Sequence, residues 1–296
     1  MRRAATVVLI CLPAILAFAK AASFYAANRT NGSIISSGEK REYLLYVPRS
    51  YDRSKPTPLV ISMHGAGGWP AQQMTLTGWN RQADKEGFIV VYPAGADRGG
   101  PRVWHVESER DVRFIADLID KLAASYNIDR RRIYANGFSN GGGMAFVLSC
   151  RLSDRIAAVG MVGAAQFLPF TWCKDHHAVA MIDFHGTDDP DAPYNGGVTW
   201  LAHDLMANVS TFAGKWAHRN QCSASTDSVI ASDVTLREYT NCADDATVAL
   251  YTIRGGGHTW PGGDRLLESF VGRTTRSIDA TDLMWAFFSE HPLAQR

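Results

Sequence analysis

The sequence predicts one α/β domain built on a mostly parallel, doubly wound sheet with helices on both faces. Short, continuous apolar runs recur along the chain, as in strands that are buried on both faces. Segments with the apolar spacing of amphipathic helices lie between these runs, and this alternation is typical of parallel sheets. No internal repeat or Pro/Ser-rich linker interrupts the 296 residues, which suffice for one large domain.

The elements follow from the apolar pattern taken in chain order. Residues 42–47 alternate enough to form an early strand that Pro48 ends. The other predicted strands are 59–63, 88–93, 132–135, 156–162, 179–184 and 248–253. In 111–126, Val112, Ile115 and Ile119 lie on one helical face. The other predicted helices are 79–86, one that includes 144–148, 209–219 and 278–288.

The N-terminus has the pattern of a secretory signal peptide. Arg2 and Arg3 are basic, residues 4–19 are apolar and uncharged, and Ala19 and Ala21 are small residues suited to a cleavage site. We therefore expect a signal peptide at 1–21, a mature domain at 22–296, and a secreted protein, extracellular or periplasmic, with no membrane association after cleavage. An uncleaved membrane anchor is the alternative, although the apolar stretch is short for a span of about 20 residues.

The cysteines agree with export to an oxidising compartment. Removing Cys11 with the signal peptide leaves an even number, which in a secreted chain predicts disulfides. Three pairings of these four are possible, and the simplest joins near neighbours in the sequence. That pairing is Cys150 with Cys173 and Cys222 with Cys242. No C-x-x-C motif supports a zinc site.

The charge balance excludes one class of partner. The chain has 30 basic and 29 acidic side chains and no long run of either sign, which argues against binding to nucleic acid. No pattern in the sequence calls for a metal or a cofactor, so we expect neither.

One turn could carry catalytic chemistry. Gly137-Phe138-Ser139-Asn140-Gly141 fits the G-x-S-x-G pattern of a nucleophile elbow, in which a serine lies on a sharp turn from strand to helix. The strand-like residues before it and the apolar, helix-compatible residues after it fit that context. The alternative is a glycine-rich turn without chemistry.

A nucleophilic serine needs a base and an acid that orients the base. Both follow at predicted strand ends: an acidic loop holds Asp188 and Asp189, and a Gly-rich loop holds His258. The order Ser, Asp, His is that of α/β-hydrolases, and parallel strands bring their carboxyl ends to one edge of the sheet. Alternatively, the acidic loop is a solvated turn or a weak calcium site, and His258 is an ordinary loop histidine.

The carbonyl oxygen of a substrate also needs hydrogen-bond donors as it gains charge. The backbone N–H of Asn140 is one candidate. The loop from His64 to Gly68 can supply a second, from Ala66 or Gly67. Trp104 and Trp260 are predicted as aromatic walls of the substrate site, with packing in the core as the alternative.

These motifs resemble the secreted polyhydroxybutyrate depolymerase-type esterases, which group with feruloyl and acetylxylan esterases in the α/β-hydrolase superfamily. The motifs that carry the resemblance are His64-Gly65-Ala66-Gly67, Tyr92-Pro93, Gly137-Phe138-Ser139-Asn140-Gly141-Gly142, His185-Gly186-Thr187-Asp188-Asp189-Pro190 and Gly255-Gly256-Gly257-His258-Thr259-Trp260-Pro261-Gly262.

The resemblance implies roles for individual residues. Ser139 is expected as nucleophile, His258 as base, and Asp189 rather than Asp188 as acid, because the family places its acid two residues after the Thr of His-Gly-Thr. It also supports the Cys222–Cys242 pairing. His105 follows Trp104 where relatives often have Asn, in a segment expected to line the acyl or alcohol site.

The function expected from the sequence is that of a secreted serine esterase that uses an acyl-enzyme mechanism. Its substrates are expected to be feruloyl or acetyl esters of plant polysaccharide, or short hydroxyalkanoate esters. A poly(3-hydroxybutyrate) depolymerase acting on polymer is the first alternative. It is less favoured because no separate surface-binding domain is evident. A non-catalytic binding protein with a hydrolase fold is an alternative from another class, and a lidded lipase is a further one.

Overall fold

The computed structural model describes residues 29–97, 100–164, 169–175, 177–199, 205–264 and 268–294. The predicted signal peptide and Cys11 lie outside the described residues. Within these ranges, no helix combines the length and the apolar character that crossing a membrane requires.

A ten-stranded mixed sheet runs through the described chain in the order β1-β2-β4-β3-β5-β6-β7-β12-β11-β10. Its strands are β1 Gly32–Ser36, β2 Glu39–Tyr46, β3 Thr57–Met63, β4 Ile89–Pro93, β5 Ile128–Phe138, β6 Ala158–Val162, β7 Ala180–Gly186, β10 Ala224–Ala231, β11 Val234–Thr240 and β12 Val248–Ile253. The six central strands, from β4 to β12, are parallel, and the flanking strands pair antiparallel. The short strands β8 Gly197–Val198 and β9 Leu205–Met206 form a separate pair.

Helices cover both faces of this sheet. They are α1 Pro70–Thr77, α2 Trp79–Glu86, α3 Glu109–Ser125, α4 Asn140–Arg151, α5 Val209–Arg219, the short α6 Glu268–Val271 and α7 Ala280–Glu290. The apolar residues of α3, α4 and α5 share one core with one face of the sheet. Those of α1, α2 and α7 share a second core with the opposite face. The predicted doubly wound α/β architecture is therefore confirmed.

The sequence prediction missed the outer strands of the sheet, helix α1 and the short elements β8, β9 and α6. The helices at 79–86 and 209–219 and the strand at 248–253 have their predicted bounds. However, β1, β10 and β11 were not predicted. Six of the eight residues of β10 are exposed, so this strand lacks the apolar run by which the buried strands were recognised.

Both disulfides have the predicted sequence-local pairing. Cys150, near the end of α4, is bonded to Cys173, and Cys222, after α5, is bonded to Cys242. The bonds close loops with sequence separations of 23 and 20 residues. On the chain-entropy argument each stabilises the fold by about 3 kcal/mol.

Candidate active site

Ser139 lies on the turn between the last residue of β5 and the first residue of α4. Its backbone has φ 54° and ψ −121°, a region that residues other than glycine rarely occupy. Such a conformation costs about 1–3 kcal/mol and persists only where the surroundings enforce it. Here the Ser139 N–H donates to the Val162 carbonyl at 2.9 Å, and the Ser139 carbonyl accepts from Gly143 N–H at 3.1 Å.

The glycines of the G-x-S-x-G motif are required by close backbone contacts. A Cβ atom on Gly137 would lie 2.1 Å from the carbonyl carbon of Gly141, inside any allowed contact distance. A Cβ atom on Gly141 would lie 2.3 Å from the Met63 carbonyl oxygen. Both obstacles are backbone atoms, which cannot rotate away, so neither position accepts a side chain. The motif therefore forms the tight turn that the sequence predicted.

His258 is paired with Asp189. His258 Nδ1 lies 2.8 Å from Asp189 Oδ2, and Asp189 Oδ1 accepts hydrogen bonds from Asp191 N–H at 2.9 Å and Ala192 N–H at 2.7 Å. The carboxylate accepts the Nδ1 proton of the imidazole, which leaves Nε2 of the neutral ring free to accept a proton. Asp188, by contrast, is exposed and accepts from the Thr187 hydroxyl at 2.9 Å.

The surroundings of Asp189 keep it ionised. Burial alone raises the pKa of this carboxyl, but the hydrogen bond from His258 and the electrostatic interactions with His258 and His185 outweigh that effect, so its pKa lies below the usual value. His185 Nε2 lies 3.6 Å from Asp189 Oδ2 and 2.8 Å from the Ala192 carbonyl, to which it donates. His185 thus braces the acidic loop.

One strand end contacts all three residues of the predicted triad. Val162, the last residue of β6, accepts the Ser139 N–H, and a Cβ atom on the next residue, Gly163, would lie 3.1 Å from His258 Nδ1 and 3.3 Å from Asp189 Oδ2. Phe138 packs against His258 with ring centroids 4.7 Å apart. Ser139 and His258 are not hydrogen-bonded in this structure, and such bonds often tighten only when substrate binds.

The loop after β3 passes close to Ser139, and the structure distinguishes its two candidate donors, Ala66 and Gly67. Gly67 N–H donates to the Arg102 carbonyl at 2.7 Å, and Gly68 N–H donates to the Gly65 carbonyl at 3.0 Å. Ala66 N–H donates to none of the described groups, and a Cβ atom on Gly65 would lie 3.3 Å from Ser139 Cβ. Of the two donors that the sequence left open, Ala66 is therefore the available one. Asn140 N–H opens α4, where no intrahelical acceptor exists.

A buried neutral histidine fixes this loop. His64 Nδ1 donates to the Gly65 carbonyl at 2.7 Å, and Nε2 accepts from Gly95 N–H at 3.0 Å. Burial lowers the pKa of His64 to about 4; the hydrogen bond to Gly65 opposes the shift and the charge of Arg102 adds to it. Because the unfolded chain binds this proton more readily, His64 makes the fold less stable as pH falls from about 6.5 towards 4.

The two predicted aromatic walls are core groups in the structure. Trp104 is 2% exposed and Trp260 is 1% exposed. Their indole N–H groups donate within the protein, from Trp104 to the His64 carbonyl at 3.0 Å and from Trp260 to the Thr281 hydroxyl at 3.0 Å. The structure therefore favours the alternative that the sequence left open, packing in the core, over two walls facing a substrate. The sequence could not decide the matter because a tryptophan beside a loop packs equally well inwards or outwards.

Substitution of each of the two neighbouring aspartates tests which of them is the acid that orients His258. Asp189→Asn should lower kcat for ester hydrolysis by about 10⁴-fold, because an amide in place of the carboxylate no longer selects the productive tautomer of the imidazole. Asp188→Asn is the matched control and should leave kcat within about twofold, since surface changes have small effects. Steady-state rates of both purified variants check this. The reverse order of effects would assign the acid to Asp188.

A strained serine at the carboxyl end of a parallel strand, with an Asp–His pair supplied by later strand ends, defines the α/β-hydrolase class. Within that class the chain belongs to a known family: residues 41–235 match the family model described as Esterase PHB depolymerase. The matched range includes Ser139 and Asp189 and ends before His258.

Curated relatives and solved structures agree with this assignment. Feruloyl esterase B of Piromyces equi is 30% identical over 231 residues, 74% of this chain and 42% of that protein. Feruloyl esterase C of Emericella nidulans is 30% identical over 213 residues, 67% of this chain and 76% of that protein. The acetyl xylan esterase from Aspergillus awamori has the same fold, with a TM-score of 0.64 at 15% identity, and the match covers 87% of this chain and 98% of that one. The chain thus spans less than half the length of the first of these relatives.

Proposed function

We propose that this protein is a secreted serine esterase that hydrolyses carboxylic esters through an acyl-enzyme intermediate. The observation that carries the proposal is the pairing of His258 with a buried, ionised Asp189 beside the strained elbow serine Ser139. The two disulfides support secretion, because such bonds persist mainly in oxidising compartments.

The chemistry proceeds in two steps. Ser139 Oγ attacks the ester carbonyl carbon while His258 Nε2 takes its proton, and the carbonyl oxygen becomes an oxyanion. Collapse of this intermediate breaks the carbon–oxygen bond to the alcohol, which leaves with the proton from His258. Water then repeats the attack on the acyl-enzyme, with His258 as base, and releases the carboxylic acid and free Ser139. Asp189 stabilises the imidazolium that forms in both steps.

The oxyanion is stabilised by the backbone N–H groups of Ala66 and Asn140. Each such donor is worth about 3–4 kcal/mol of the barrier by comparison with measured oxyanion holes. Both groups lack a described intramolecular acceptor, so neither needs to break a hydrogen bond within the protein when charge develops.

For the substrate, we propose esters carried by plant polysaccharide or short hydroxyalkanoate esters. The names of the feruloyl and acetylxylan esterase relatives support the polysaccharide-linked class. A cavity of about 110 Å³ adjoins the oxyanion loop and is bounded on its apolar side by Leu76 and Phe138. This open groove lies beside Ala66, so part of the bound substrate is expected to occupy it.

Active-site labelling and a substrate panel test this proposal. A fluorophosphonate probe should label Ser139, as read by mass spectrometry of the peptide. The panel compares three soluble esters, which are an acetylated xylan oligomer, a hydroxybutyrate oligomer and methyl ferulate, with solid poly(3-hydroxybutyrate). We expect at least one soluble ester to be hydrolysed faster than the polymer at equal ester concentration. Absence of both labelling and hydrolysis would instead support the non-catalytic binding protein. Faster hydrolysis of the solid polymer than of every soluble ester would instead support a polymer depolymerase.

A further inference from the structure

We propose that Asn140 and Trp104 are positioning residues that hold the two oxyanion donors in register with each other. We call Asn140, Trp104 and Arg102 the oxyanion clamp. The inference rests on the proposed function, because it concerns how the same site achieves catalysis. It assigns to the Asn140 side chain a role separate from that of its backbone N–H group.

The first contact of the clamp is a pair of hydrogen bonds between the Asn140 side chain and the backbone of Trp104. Trp104 N–H donates to Asn140 Oδ1 at 2.7 Å, and Asn140 Nδ2 donates to the Trp104 carbonyl at 3.0 Å. The side-chain amide of Asn140 thus accepts from the N–H and donates to the carbonyl of the same residue, which fixes both its position and its orientation. Consequently, the backbone of Trp104 is bound directly to the first residue of α4.

The second contact joins Trp104 to the oxyanion loop. Its indole Nε1–H donates to the carbonyl of His64 at 3.0 Å, and its ring lies against the His64 ring with centroids 5.5 Å apart. His64 comes two residues before the donor Ala66. Trp104 is 2% exposed, so its ring has no freedom to follow a moving loop.

The third contact secures the loop on the other side of Ala66. Gly67 N–H donates to the carbonyl of Arg102 at 2.7 Å, and the Arg102 guanidinium donates to the Gly95 carbonyl at 2.7 Å. His64, before Ala66, is therefore hydrogen-bonded to Trp104, and Gly67, after it, is hydrogen-bonded to Arg102. Trp104 is in turn hydrogen-bonded to Asn140. The spacing between the Ala66 and Asn140 N–H groups is set by this chain of contacts.

Such a clamp matters because Ala66 and Gly67 are themselves exposed. Oxyanion donors act when they lie 2.7–3.1 Å from the developing charge, and preorganisation removes the cost of moving them there. Since a ground-state carbonyl depends less on this spacing, loosening the clamp should lower kcat more than it raises KM.

The test replaces the indole of Trp104 and compares it with a matched tryptophan. Trp104→Phe keeps a ring in the core but removes the N–H that binds the His64 carbonyl. Trp216→Phe is the control, because Trp216 is fully buried and its N–H likewise donates to a backbone carbonyl, that of Val179, at 2.9 Å. The measurements are kcat and KM for a soluble acetyl ester, Ki for a trifluoromethyl ketone that forms an oxyanion adduct with Ser139, and Tm.

We expect Trp104→Phe to lower kcat about 10- to 100-fold and to raise Ki by a similar factor, with KM within about twofold, because small misplacements at a reacting centre cost up to about 10²-fold. Trp216→Phe should leave all three constants within about twofold even if its Tm falls. Asn140→Ala, which breaks the clamp from the elbow side, should reproduce the kcat effect. The double variant Trp104→Phe/Asn140→Ala should lose less than the product of the single losses, because the two residues act as one unit.

The outcomes separate this inference from the proposed function. An active wild type with Trp104→Phe and Asn140→Ala both unchanged in kcat and Ki overturns the clamp alone. A loss of kcat shared equally by Trp104→Phe and Trp216→Phe also overturns it, since a general loss of packing would then suffice. A wild type that neither reacts with the fluorophosphonate probe nor hydrolyses any ester overturns the proposed function and, with it, the clamp.

Discussion

Replacing Ser139 with alanine is expected to lower kcat for ester hydrolysis by about 10⁴- to 10⁶-fold, because no acyl-enzyme can form without the hydroxyl. The fold should persist, since no structural hydrogen bond depends on the Ser139 hydroxyl among the described contacts and the β-carbon is retained. Initial rates on a soluble acetyl ester measure the loss, and circular dichroism of the same samples checks the fold.

A second substitution at the same position separates catalysis from backbone strain. Ser139→Gly should be as inactive as Ser139→Ala but about 1 kcal/mol more stable. Glycine adopts φ 54° and ψ −121° without the penalty of about 1–3 kcal/mol that other residues incur. The greater freedom of glycine in the unfolded chain cancels part of this gain. Thermal unfolding of the two variants measures the difference. Retention of more than about 1% of wild-type kcat by Ser139→Ala would contradict a serine mechanism.

The second large effect is expected at a buried ion pair far from the triad in sequence. Arg41 Nη1 lies 2.6 Å from Asp111 Oδ1, and the two side chains are 6% and 0% exposed. Asp111 Oδ2 also accepts from His105 N–H at 2.8 Å, so the pair anchors the segment next to Trp104. Arg41→Met should destabilise the fold by about 3–5 kcal/mol, because it leaves the Asp111 carboxylate buried without a counterion. Urea unfolding followed by fluorescence measures this change.

An exposed ion pair between the same two elements, β2 and α3, provides the control. Arg110 Nη1 lies 2.9 Å from Glu39 Oε1, but these side chains are 57% and 35% exposed. Arg110→Met should therefore cost at most about 1 kcal/mol, since solvent screens such pairs. Arg41→Met/Asp111→Leu should recover part of the stability lost in the single variant. Equal costs for Arg41→Met and Arg110→Met would show that burial of the pair is not what stabilises this region.

Local sequence signals were enough for the centre of the fold. The six central strands β3, β4, β5, β6, β7 and β12 each carry an apolar run, and the helices α2, α3, α5 and α7 were recognised from their local sequence as well. The elbow was recognisable for a similar reason. Its glycines are required because the backbone approaches them closely, both within a few residues of Ser139 and at the adjoining strand β3.

The peripheral strands and the contacts of the site required the tertiary structure. The edge strand β10 is mostly exposed, so no apolar run marks it. Its neighbour β11 buries only Val234 and Leu236, a pattern too short to identify a strand. The inward packing of Trp104 and Trp260 depends on acceptors at His64 and Thr281, which lie 40 and 21 residues away in the chain. Sequence motifs carry no record of such distant partners.

The sequence by itself determined the order Ser139, Asp189, His258, the tight turn around the serine and the sheet whose strand ends carry all three. These features arise from backbone sterics and apolar periodicity, which act over short stretches of chain. The tertiary structure alone decided that Ala66 and not Gly67 has a free N–H group, and that the Asn140 side chain binds Trp104. Those outcomes depend on which hydrogen-bonding groups distant segments bring together, and only the packed chain determines that.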